Sequence, residues 1–184
     1  MRPFFSLLFL ACCVLPPAAA ARAPDPTDTA RAFYAWVLKH PSVGLPSTLE
    51  RRTLAPLLSP RLAALLDDAS ATQARCDRAA AQGDKPLLIE GDLFVDNDEG
   101  ATAVEIGASR HLGDRASVRA HLSHADLRLP ASDKSLLVTW SDRLELRRIG
   151  GQWRVHDVSF SRHDSLTGVL KAYLAEGARV CPRG

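Results

Sequence analysis

Two aspartates set among apolar residues are the groups of this 184-residue chain best suited to chemistry. Asp142 follows Leu136, Val138 and Trp140, which share one parity with Leu144 and Leu146; Thr139, Ser141, Arg143, Glu145 and Arg147 take the other. That alternation is the period of a strand with one dry face and one wet face. Asp157 lies in the next run, Trp153 to Phe160. Gly150-Gly151 accepts the positive φ angles of a tight turn and would join the two runs as a hairpin. A two-residue turn sets Leu146 opposite Val155, Leu144 opposite Asp157 and Asp142 opposite Ser159. Asp142 and Asp157 then become diagonal neighbours on the dry face, about 7–8 Å apart at the backbone. Carboxylates in such surroundings have raised pKa values, which suits proton transfer. With Trp140 they form the candidate ligand-binding set. The plainer reading has both bonded to backbone at a bulge, or to Arg and Ser neighbours, as buried polar groups usually are.

Other chemistry is sparser. His40, His111, His121, His124, His156 and His163 show no zinc spacing. His121 and His124 are three apart in a strand, hence on opposite faces unless a bulge intervenes, and His156 should face Glu145 across the hairpin. Asp96 and Asp98 alternate as in a calcium loop, but Gly100 occupies a ligand position, Ala101 stands where the turn glycine belongs, and no Glu closes the loop. A solvated turn is expected there and no metal. No G-x-S-x-G, P-loop or dinucleotide glycine fingerprint occurs, so no cofactor is expected. Of four cysteines, Cys12 and Cys13 sit in the N-terminal apolar run, leaving Cys76 and Cys181. Cys76 has no His beside it to activate a thiolate.

The elements that would position these groups begin after an export signal. Arg2, the apolar run Phe4 to Leu15, and Ala18 to Ala21 match a secretory signal over residues 1–20. The run is too short for a stable membrane span. A lipid anchor at Cys12 or Cys13 is a minority alternative, since the residues before them fit an attachment box poorly. Export implies a periplasmic or secreted protein, and two thiols in an oxidising compartment suggest one Cys76–Cys181 disulfide, on the order of 4 kcal/mol. Two separate buried thiols are the alternative. Net charge is +2 and becomes +1 without Arg2. That near-balance argues against nucleic acid or an anionic membrane as a partner recognised by bulk charge; a local patch stays open.

Residues 21–27 read as a linker, and residues 28–184 as a single α+β domain. Thr27 or Asp28 caps a helix to Lys39 with Phe33, Trp36 and Val37 on one face. A short helix over Thr48 to Leu54 follows. Ser59-Pro60 starts a long helix carrying Leu62, Leu65, Leu66, Ala69 and Cys76, ending near Gln82-Gly83. The sheet half contains the apolar runs Leu87 to Ile89 and Leu93 to Val95, a strand through Val104, Ile106 and Ala108, a turn at Gly113-Asp114, and a strand from Arg115 to Leu129. Phase slips at Ser123-His124 and at His156-Asp157 predict bulges. Asp164 or Ser165 caps a last helix with Leu166, Val169, Leu170, Tyr173 and Leu174, ended by Gly177.

The segments AFYAWVL, SPRLAALLDDA, EGDLFVDNDEGA and WSDRLELRRIGGQWRVHDVSF, in this order, resemble the exported bacterial family called domain of unknown function 3828. The resemblance covers nearly the whole chain after the signal. It implies the nuclear-transport-factor-2-like superfamily: N-terminal helices packed on a curved antiparallel sheet, a closing C-terminal helix, and a cone-like shape. It says little of activity, because that superfamily holds isomerases, dehydratases and noncatalytic modules. Two functions follow as expectations. One is an exported noncatalytic module binding an unidentified envelope protein or small ligand, in one form a periplasmic inhibitor or immunity-type protein. The other is a small isomerase-like or hydrophobic-ligand pocket protein using Asp142 and Asp157, since ketosteroid-isomerase-like members use an inward carboxylate. The absence of a legible catalytic set favours the first.

Overall fold

A computed structural model of the chain describes residues 25–41, 43–80, 86–126, 137–161 and 165–181. The expected export signal, the Gln82-Gly83 stop, Leu127, Leu129 and His163 lie outside them. The described residues form an α+β fold. In chain order it runs α1 (Pro26–Lys39), α2 (Thr48–Leu54), α3 (Pro60–Ala79), β1 (Ala103–Leu112), β2 (Arg115–His124), β3 (Val138–Ile149), β4 (Gln152–Ser159) and α4 (Leu166–Val180). The strands form one open antiparallel sheet in the order β1-β2-β3-β4. Among the described residues no helix is long and apolar enough to cross a membrane.

Short polar side chains start each of the four α-helices among the described residues. Ser59 accepts from the Leu62 amide, with Pro60 beside it in the first turn of α3. Ser47 and Glu50 form a reciprocal capping box on α2, and Ser165 accepts from the Gly168 amide on α4. At α1 the cap is Asp25, not Thr27 or Asp28: its carboxylate accepts from the Thr27 amide at 2.8 Å. Pro26 fits the first helical turn, so the helix takes in residues read as linker.

Gly177 does not end α4, which continues to Val180. The glycine is there for contact. A Cβ at this position would lie 2.2 Å from Thr72 Cγ2 on α3, so α3 and α4 cross where one of them has no side chain. Beyond that crossing a disulfide joins Cys76 near the end of α3 to Cys181, the residue capping α4.

The β3–β4 turn falls at Gly150-Gly151, with φ of +57° and +79°, and Gly113-Asp114 turns β1 into β2. One face of the sheet is dry. Ala116, Val118, Ala120 and Leu122 of β2 join Trp140, Leu144 and Leu146 of β3 and Trp153, Val155 and Val158 of β4. Phe33 and Tyr34 of α1, Leu62 and Leu66 of α3, and Leu166 and Leu170 of α4 share this core. The expected bulge at Ser123-His124 is absent: β2 pairs with β3 without interruption from Arg115–Arg147 to His124–Val138. A bulge falls instead on β1 at Gly107-Ala108, opposite Arg119. Gly107 tolerates the close approach, since a Cβ there would meet the Arg119 carbonyl oxygen at 3.3 Å. Leu93 to Val95 is buried but forms no strand.

Candidate functional site

The two candidate aspartates go to different places. The bulge at His156-Asp157 falls where the phase slip predicts it, and it changes the pairing beyond it. Leu146 still faces Val155, but Asp157 pairs with Glu145 rather than Leu144, and Ser159 pairs with Arg143 rather than Asp142. The diagonal pairing of Asp142 with Asp157 is therefore not formed. Asp157 Oδ1 accepts from the amides of Val158 at 2.8 Å and Thr167 at 2.9 Å, and Oδ2 accepts from the Thr167 hydroxyl at 2.5 Å. These bonds tie the first turn of α4 to the end of β4, where a carboxylate is also favoured by the helix dipole.

His156 is the extra residue of that bulge, so it faces no Glu145. Its Nε2 lies 3.0 Å from an Arg61 nitrogen and its Nδ1 3.1 Å from Ser59 Oγ. Arginine only donates, so Nε2 accepts, and Nδ1 carries the hydrogen donated to Ser59. Burial, then Arg61 and Arg147, push its pKa down, in keeping with a neutral ring. The bulge therefore locks β4 onto the start of α3.

Asp142 stays on the dry face, 1% exposed, as its parity predicts. Its Oδ2 accepts from the Asp96 amide at 3.2 Å and from the Trp140 indole N–H at 3.3 Å. Asp96 is buried too, and its Oδ2 accepts from the Ser161 hydroxyl at 2.7 Å. Tyr34 stands nearby on α1. Burial chiefly, then the charges of Asp142 and Asp92, push its pKa well up. Its hydroxyl has no hydrogen-bond partner among the described residues. Asp92 is pushed up to about 6 by burial, although the Phe94 and Val95 amides pull it down. Sequence reasoning missed that Tyr34 and Asp96 lie near Asp142, and that Asp92 lies near Tyr34. A solvated turn is the expectation for Asp96, yet Leu93 to Val95 folds inward and carries Asp96 with it.

Asp96 points to Asp142 and Ser161, while the Asp98 carbonyl accepts from the Asp92 amide. No group of three His, Cys, Asp or Glu among the described residues could hold a metal.

The wet face of the sheet carries a feature that composition conceals. Arg115, Arg147 and Arg154 stand side by side across β2, β3 and β4, and Arg119 directly faces Arg143. A cleft of about 440 Å³ on this face is lined by Gly107, Arg119, His121 and Arg143, among others. A second, of about 510 Å³, runs past Arg119, Arg143 and Ser159 to Ser161 just beyond β4, with Asp142 also in its lining. His121 bonds through Nδ1 to Ser141 Oγ at 2.8 Å. Burial pushes Glu145 up, while Arg143 and Arg147 draw it down. No protein-family model, curated protein or solved structure matches the chain.

Proposed function

We propose that the protein is an exported noncatalytic binding module. The observation that carries this is the use to which the two candidate carboxylates are put: Asp157 holds the start of α4, and Asp142 holds the 92–100 loop and Trp140. A general base needs access to a substrate proton. Asp142 has 1% exposure, and Trp140 packs beside it on the dry face. Support for export comes from the N-terminal pattern of Arg2, an apolar run and small residues, together with the Cys76–Cys181 bridge, which suits an oxidising compartment. The family resemblance supports a cone-like, nuclear-transport-factor-2-like reading of the fold, and two bulges in the sheet favour the strong twist that such a shape needs. An inhibitor or immunity-type role fits a domain whose interior is spent on structure and whose polar surface is free for a partner.

The isomerase-like alternative retains only Asp142, beside Trp140 and Tyr34, and requires the 92–100 loop to open. Titration with the neutral apolar dye N-phenyl-1-naphthylamine separates the two. The module should show no saturable fluorescence gain. A saturable gain that disappears in Asp142→Asn while the variant melts cooperatively would falsify a closed interior.

A further inference from the structure

The arginines of the wet face are arranged at a cost that the fold itself does not recover. Arg115 faces Arg147, Arg147 faces Arg154, and Arg119 faces Arg143, all as direct cross-strand partners. Like charges placed directly opposite destabilise a sheet. Arg115, Arg119, Arg143 and Arg154 make no hydrogen bond or ion pair among the described residues, and Arg147 reaches only an exposed Asp114 at 4.0 Å. Arg143 and Arg147 both act on Glu145, which faces Asp157 on β4, and Glu105 stands opposite His121 on β1, so on this face the five arginines outnumber the three carboxylates of its strands. The charge is concentrated on one face, in a chain whose net charge is only +2.

We propose that this face docks an acidic surface of a partner protein. The inference rests on the binding-module reading and names the partner's chemistry. Forked guanidinium groups pair with carboxylates in a planar, two-bond geometry, and at strand spacing they are held in a fixed array. A second copy of this chain would bring arginine against arginine and be repelled. A uniformly anionic lipid surface would press like charge onto Glu145, in the row between Arg143 and Arg147, whereas a folded partner can set a neutral or basic group there. Leu112, 87% exposed at the end of the Arg115–Arg147–Arg154 row, offers an apolar contact beside the charges.

The test is binding of the full exported chain to poly-L-glutamate at about 0.15 M salt. Wild type should bind, more weakly as salt rises. Arg119→Gln/Arg143→Gln should weaken binding roughly tenfold or more, because paired charges on a rigid face act together. Arg52→Gln/Arg78→Gln removes the same charge from exposed sites on α2 and α3 and should change binding by less than about twofold. Arg115→Gln/Arg154→Gln provides a second sheet variant should the first misfold. Equal losses in the sheet and helix variants would reduce the effect to bulk charge and overturn the proposal. So would failure of wild type to bind, or preference for phosphatidylglycerol vesicles over poly-L-glutamate at matched negative charge. The naphthylamine titration keeps the two levels apart: Asp142-dependent dye uptake defeats the module reading, whereas inert arginines with no dye uptake defeat only the partner assignment.

Discussion

Asp92 shows how a single buried carboxyl can set the pH response of a loop. Its Oδ1 accepts from the Phe94 amide at 2.8 Å, yet burial raises its pKa from 3.8 to about 6. The folded chain therefore holds this proton more tightly than the unfolded chain. Its contribution to stability is complete below about pH 4, declines as pH rises to about 6, and is level above that, for a total of at most about 3 kcal/mol. Asp92→Asn keeps an oxygen for the Phe94 amide and removes the titration. Urea unfolding of this variant should show a flatter stability profile between pH 4 and pH 6 than wild type; identical slopes would remove Asp92 from the response. Asp142 and Asp157 make the complementary point. The residue type announces possible chemistry, but the donors around each carboxylate decide its use.

Among the elements, the α3–α4 crossing leaves no room for a side chain at Gly177. Gly177→Ala gains helix propensity of about 1 kcal/mol but drives a methyl into Thr72. The clash should prevail, with a net loss of about 1–3 kcal/mol. Thr72→Ser deletes the offending Cγ2, so the double variant should recover most of that loss; additive losses in a double-mutant cycle would place the strain elsewhere. The start of α3 was legible in the sequence because Ser59-Pro60 is a local signal, read within one turn of chain, whereas the cap of α1 falls at Asp25, two residues before the first candidate. The Gly150-Gly151 reversal was legible for the same reason. Gly177 was misread because a glycine near a helix end looks alike whether it stops the helix or admits a neighbour; only the position of Thr72 separates the two. The fate of Asp157 turned on how the phase slip at His156 redistributes partners, which depends on Thr167 ten positions away. The arginine rows needed the register of three strands before separate letters became one face.

For the molecule as a whole, the Cys76–Cys181 bridge closes a loop with a sequence separation of 105. Constraining the unfolded chain over that span is worth about 4–5 kcal/mol in the chain-entropy treatment. Cys76→Ala/Cys181→Ala should lower the unfolding free energy by about that amount in urea, with the sheet intact in far-ultraviolet circular dichroism. A loss below about 1 kcal/mol would show that residual structure already restricts the unfolded chain over this span.

The chain order of the strands also has a kinetic side. Every strand pairs with a sequential neighbour, so zipping the meander never waits for a remote segment to diffuse in, and each closure costs little entropy. The slow partner is α1. Its Thr29 hydroxyl seeks the Trp153 carbonyl 124 positions away, a search that becomes productive only after β4 is in place. We therefore expect refolding to register ribbon first and N-terminal helix last, an order that pulsed hydrogen-exchange labelling reads directly; protection of α1 ahead of β3 and β4 would reverse it.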